Sequence, residues 1–213
     1  MTRLQILALA TVLAASMTIP AQQSAAQTKM TLRPESNLTL SGSSNVHDWS
    51  CKSSSFQPTV ELDSAYQTEP FTAVPKLITR VSVTIPVKSL KCGHGKMDDN
   101  MYKALNAEQF PDIRYVLGSY TVNKAEMTES ALAATTVGDL TVSGKTIRAE
   151  IPLVARRMLG GSMVGQGSIK LLMTDFGIKP PVALLGTLRT KNEIEISFQV
   201  LLDKSVVVAL SRQ

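Results

Sequence analysis

Between residues 77 and 87 the chain alternates. Leu77, Val81, Val83, Ile85 and Val87 are apolar, and Arg80, Ser82 and Thr84 stand between them. Successive side chains of a strand point to opposite faces, so this period of two predicts a half-buried strand with one wet face. The same alternation recurs over 147–153, with Ile147, Ala149, Ile151 and Leu153 on one side, and over 194–200, with Ile194, Ile196, Phe198 and Val200. Further strands are predicted over 38–43, 59–62, 113–122, 136–142 and 168–173. Ser143-Gly144-Lys145-Thr146 is a tight-turn signal that makes a hairpin of its flanks. Eight strands joined by short turns predict an antiparallel sandwich or barrel.

One stretch departs from that period. Met97, Met101 and Leu105 are spaced four apart and Asp98 and Asp99 stand early, which predicts a short helix near residues 97–106 whose first-turn carboxylates complement its dipole. It stops before Phe110-Pro111. After Pro180-Pro181, the residues Val182, Leu185 and Leu188 read either as one more helical turn or as a loop with apolar plugs. Gly160, Gly161, Gly165 and Gly167 read as a loop leading into a strand.

At the N-terminus Arg3 precedes an uncharged apolar run from Leu4 to Ala15, followed by Pro20 and the small residues Ser24, Ala25 and Ala26. A basic start, a short apolar stretch and a small-residue site predict a secretory signal over residues 1–26, cleaved near Ala26. Thr11, Ser16, Thr18 and Pro20 keep the run below the ~20 residues that span a bilayer. The chain is therefore expected in the periplasm or secreted, as a single domain over 27–213, a size that one hydrophobic core supports.

Composition narrows the chemistry. Aromatics are 5% of the 213 residues, which disfavours both a membrane barrel with aromatic girdles and a stacking platform for single-stranded nucleic acid. The formal charge of +5 is scattered, with Arg156-Arg157 as its densest pair, so no nucleic-acid partner and no stable membrane insertion are expected. Cys51 and Cys92 are the only cysteines, and an even count in an oxidising compartment predicts one structural disulfide. No Gly-x-Ser-x-Gly occurs, His47 and Asp48 are neighbours that a strand would turn apart, and Asp175 lacks a paired acid. His47 and His94 supply two ligand types without metal-site spacing. No catalytic residue, metal or cofactor is expected.

A closed barrel of about eight strands has room for side chains or for one apolar ligand. At this point a family becomes visible. Val137-Gly138-Asp139-Leu140-Thr141-Val142-Ser143-Gly144-Lys145-Thr146 resembles the Gly-Asp-Leu-Thr hairpin of the YceI family of exported, lipocalin-like polyisoprenoid-binding proteins. Met173-Thr174-Asp175-Phe176-Gly177-Ile178 is similar to that family's Asp-Phe-Gly-Ile strand end, and the helix from Met97 with Phe110-Pro111-Asp112-Ile113-Arg114-Tyr115 resembles its helical stretch, in the same order. The resemblance runs from about Thr31 to Leu202.

The resemblance implies an all-β, antiparallel, eight-stranded lipocalin-like barrel with one short helix and a long apolar tunnel. It implies a carrier or binding protein for a long-chain lipid of isoprenoid type, and not an enzyme. Ligand contact is expected from Leu140, Val142, Ile169, Leu171, Met173, Phe176, Ile196 and Phe198 on the strands. Met101, Leu105, Phe110 and Tyr115 are expected to add to them from the helix and the strand after it, with Trp49 lining or capping the tunnel. Where the family usually carries Arg, this chain has Met97 and Met173. Losing two cations near the barrel mouth favours a neutral isoprenoid quinone or similar lipid over a diphosphate. Two other readings stand beside this one. The first is a structural or stress-related interaction protein with a side-chain-filled barrel. The second is a metal-assisted enzyme using His47 and His94. The sequence is compatible with a homodimer.

Overall fold

A computed structural model describes residues 27–183 and 187–205. The export signal over 1–26 and Leu185 lie outside the described residues. Eleven strands form in the order β1 (Gln27–Leu32), β2 (Asn37–Ser44), β3 (Asp48–Ser53), β4 (Gln57–Asp63), β5 (Ile78–Pro86), β6 (Asp112–Val122), β7 (Ala131–Val142), β8 (Lys145–Arg157), β9 (Met163–Leu172), β10 (Val182–Ala183) and β11 (Leu188–Lys204), with helix α1 (Gly95–Ala104) between β5 and β6. All pairings are antiparallel. Neighbours run β1-β4-β5-β6-β7-β8-β9-β11, and β11 pairs back onto β1 through Met30 with Lys204 and Leu32 with Leu202, which closes an eight-stranded barrel.

The helix begins two residues before the stretch that sequence spacing marks. Each strand expected from alternation is present, and all but β5, which spans Ile78–Pro86 of the expected 77–87, are longer than their pattern, because register is carried past the last apolar residue by the hydrogen bonds of its neighbour. The β7–β8 hairpin turns on Ser143 (φ 49°) and Gly144 (φ 76°), two positive-φ residues in a two-residue loop that matches the twist of the flanking strands. After Pro181, Val182 and Ala183 pair with Arg189 and Leu188 as the short β10 in place of a helical turn or loop. Gly160 and Gly161 occupy the loop, while Gly165 and Gly167 belong to β9 itself.

Besides β10, two strands escape sequence reading. β1 carries Met30 and Leu32 among polar residues, and β3 turns Trp49, Cys51 and Ser53 inward, an alternation that a Cys and a Ser conceal. In β6 the inward positions are Ile113, Tyr115 and Leu117, after which the register shifts at Gly118 and Tyr120 and Val122 take over the inward face. That single extra residue is a bulge; it reverses the parity of the strand and bends it.

Inward positions are mostly apolar, and outward positions on β8 and β11 include Arg148, Glu150, Arg156, Lys191, Glu193 and Glu195. A transmembrane barrel requires the opposite, an apolar outer band. Among the described residues no helix is long and apolar enough to cross a membrane.

The barrel has two unlike ends. At one, Tyr66, Phe71, Val74 and Leu77 from the segment between β4 and β5 pack against Met30, Leu132 and Met163. Tyr66 and Phe71 are 0% exposed. Arg157, at the end of β8, locks this plug. Its guanidinium donates to the carbonyls of Tyr66 and Glu69 and reaches that of Glu129, and it stacks 5.2 Å from the Phe71 ring centre. The other end carries α1, in which no residue is fully buried.

Candidate functional site

From the plug toward α1 the barrel is hollow. A cavity of about 980 Å³ runs along its axis, walled almost entirely by aliphatic, aromatic and methionine side chains. Alternation sets the wall: from β11 the even-numbered Ile194, Ile196, Phe198, Val200 and Leu202 face in, and from β7 the even-numbered Thr136, Leu140 and Val142. The interior hydroxyls of Tyr115 and Thr136 are paired. Tyr115 Oη lies 3.1 Å from Thr136 Oγ1, which donates to the Ile151 carbonyl at 3.0 Å. Burial pushes the Tyr115 phenol above its ordinary range, only partly opposed by the bond to Thr136, so it stays neutral inside the apolar wall.

Three inward-facing glycines explain why aromatic rings do not fill the space. A Cβ added at Gly42 would meet the Trp49 ring at 2.5 Å, at Gly138 the Tyr115 ring at 2.6 Å, and at Gly167 the Phe198 ring at 2.8 Å. Each ring therefore lies back over a glycine on a neighbouring strand, flat along the wall and out of the lumen. The arrangement costs β-propensity at three positions and is repaid by covering the bare backbone with a ring. Trp49 Nε1 is buried and has no hydrogen-bond partner among the described residues.

At the open end the wall is completed by unlike pieces. β2 and β3 continue the sheet above β1, and β3 meets the chain after β5 through a bridge between Lys52 and Lys91 and a hydrogen bond between the Ser53 and Ser89 hydroxyls, 2.8 Å apart. The Cys51–Cys92 disulfide fastens the same seam, and both cysteines line the cavity. Beyond it α1 lies across the rim, held by polar contacts. Asp98 accepts from the Cys92 N–H at 2.7 Å and faces Lys91 Nζ at 3.9 Å. Tyr102 Oη accepts from Lys91 Nζ at 2.8 Å and donates its one proton toward the carbonyl of Leu90, 2.8 Å away, or Lys88, 3.1 Å away.

Of the residues expected at a tunnel, Trp49, Met101, Leu105, Tyr115, Leu140, Val142, Ile169, Leu171, Met173, Phe176, Ile196 and Phe198 line this one cavity. Phe110 does not. Its ring packs over Gly144, outside the lumen, where it supports the β7–β8 turn. Leu153, on the apolar side of the alternating β8, lines the cavity too, and so do Phe56, Met163 and Ile178, which lie on stretches without clean alternation. His47 and His94 both border the opening, yet among the described residues no cluster of three or more His, Cys, Asp or Glu side chains is placed to hold a metal. The expected loss of cations at the mouth is offset from other positions, since Lys96, Lys103 and Lys179 border the opening.

The YceI-like domain signature matches residues 33–202. Among solved structures, BcnA of Burkholderia cenocepacia superposes with a TM-score of 0.63 at 16% identity, over 78% of this chain and 96% of that one. A polyisoprenoid binding domain from Saccharophagus degradans, implicated in plant cell wall breakdown, gives 0.62 at 11% identity, over 85% and 100%. The YCEI protein of Campylobacter jejuni gives 0.53 at 13% identity, over 71% and 81%. At these identities the likeness is one of fold. No curated protein matches the chain.

Proposed function

The chain belongs to the YceI-like domain family, and on that premise we propose that it is an exported, non-enzymatic carrier or binding protein holding a long-chain lipid of isoprenoid type in its barrel. The observation that carries this reading is the hollow itself. An apolar-walled space of about 980 Å³ has the size of a small-molecule site, which is typically about 300–1,000 Å³. Water is a poor filler, because each molecule needs two to four polar partners and this wall offers few. An apolar chain gains about 25 cal/mol for every Å² it removes from water and asks for no polar partner. That the Saccharophagus degradans neighbour is a polyisoprenoid binding domain supports an isoprenoid chain as the filler.

A barrel solid with side chains, the basis of a purely structural role, disagrees with the cavity. Organic extraction of the purified protein followed by mass spectrometry tests the proposal. A long-chain lipid in stoichiometric amount is expected; repeated empty extracts from well-folded protein would refute it.

A further inference from the structure

The cavity lining at the open end carries charge of one sign. Lys96 and Lys103 on α1 and Lys179 after β9 border the cavity together with His47 and His94, and no Asp or Glu lines it. Lys91 and Lys170 pair with Asp98 and Glu193, whereas Lys96, Lys103 and Lys179 have no side-chain partner among the described residues. Asp48, Asp99 and Asp175 on the same segments are exposed and stand outside the lining.

Exposed apolar side chains sit among these cations. Val46 is 67% and Val182 60% exposed, and Val182 also lines the cavity. Neither hangs on a loose strand end. Asn45 donates from Nδ2 to the Thr187 carbonyl and accepts from the Arg189 N–H, both at 2.8 Å, which ties the Val46 turn to the start of β11, and Val182 is held in β10 opposite Arg189.

We propose that this rim docks on the surface of an anionic phospholipid bilayer, with Val46 and Val182 entering the headgroup layer and Lys96, Lys103 and Lys179 meeting the phosphates. Charge complementarity selects the occupant: free cations flanking exposed aliphatic tips match an interface that is anionic outside and apolar beneath. Docked in this way, the opening faces the bilayer, and a lipid passes between membrane and tunnel without crossing water. The proposal takes its purpose from the lipid-binding reading, but the contact is measured without reference to what the tunnel holds.

The test is co-sedimentation of the purified protein with vesicles of phosphatidylcholine alone and of phosphatidylcholine mixed with phosphatidylglycerol. Binding is expected to the mixed vesicles, to weaken with added salt, and to fall about fivefold for each of Lys96→Gln, Lys103→Gln and Lys179→Gln. Val46→Ser with Val182→Ser lowers it further. Lys29→Gln and Lys76→Gln at the plugged end leave it unchanged. All these side chains are exposed, and an unchanged thermal midpoint shows that each variant keeps its fold. Equal binding to both vesicle types would overturn the proposal, as would plugged-end variants that match the rim variants. It is also overturned if the triple lysine variant binds vesicles like the parent while losing an anionic co-purified lipid, since the lysines then serve the bound head group. Rim-dependent vesicle binding with repeatedly empty tunnel extracts supports the docking and refutes the lipid-binding reading.

Discussion

The two ends of the barrel solve opposite problems with the same strands. At the plugged end Tyr66, Phe71, Leu77 and Leu132 are fully or almost fully buried, and Arg157 cross-links three backbone carbonyls above them. At the open end the wall side chains Trp49, Met101, Ile194 and Phe198 are only half-buried, because one face of each meets the cavity. Close packing is what gives a core its stability, and the open half has a packed layer of its own in Val87, Leu90 and Phe176; the two ends differ in the lumen, which the plug fills at one and which stays open at the other. Tunnel and fold are thereby separable: damage to the plug reads out as stability, and damage to the open end as binding.

The sharpest way to break this comparison is a pair of truncations. Phe71→Ala should cost about 3–5 kcal/mol as a fully buried aromatic, whereas Met101→Ala, beside the opening, should cost well under half of that and weaken lipid retention instead. Denaturant titration of both variants, with lipid extraction of the second, checks the contrast. Equal losses of stability would contradict it.

Next comes the seam. The Cys51–Cys92 bond links residues 41 apart, and a loop of that length is stabilised by about 4 kcal/mol in the chain-entropy model. Cys51→Ser with Cys92→Ser, or reduction of the parent, should lower the denaturant midpoint. Hydrogen exchange should rise first in α1 and at the Lys52–Lys91 bridge, and the plug should stay protected.

Gly42→Ala sharpens the comparison within the open end. Its Cβ meets only the Trp49 side chain, so the ring should swing into the lumen at a cost of about 1–3 kcal/mol and bound lipid per protein should fall. Unchanged lipid content would show that the rings are not set back to keep the tunnel clear.

The smallest effect is at the plug. Tyr66 donates to the Gly161 carbonyl at 3.1 Å, and burial pushes its phenol up, partly offset by Arg157. A phenol whose pKa is raised by folding lends stability that is complete below about pH 10 and is lost as pH climbs through the folded value. Tyr66→Phe should therefore cost about 1 kcal/mol at neutral pH and make the alkaline loss of stability shallower, as followed by thermal midpoint against pH.

The hollow half was the more legible in sequence. Alternation over 136–142, 168–173 and 194–200 placed Leu140, Ile169, Ile196 and their neighbours on the inward face, because a strand that borders a lumen obeys the same period of two as one that borders a core. The plug was illegible, since the segment from Tyr66 to Leu77 follows no period and its burial depends on Arg157, distant in sequence. Phe110 misled for a related reason. It stands beside the helix in the chain, but the turn at Gly144 offers its ring a bare backbone to cover. The rim lysines read as an ordinary solvated face, and only closure of the barrel shows that Lys96, Lys103 and Lys179 surround one opening.

Trp49 is the only tryptophan in the chain, and it lines the cavity, so its fluorescence reports on the tunnel alone. Titration of delipidated protein with a long-chain isoprenoid quinone tests the central claim directly. Saturable quenching of Trp49 at one quinone per barrel is the result this account predicts; emission that stays unchanged, or that falls without saturating, would contradict it.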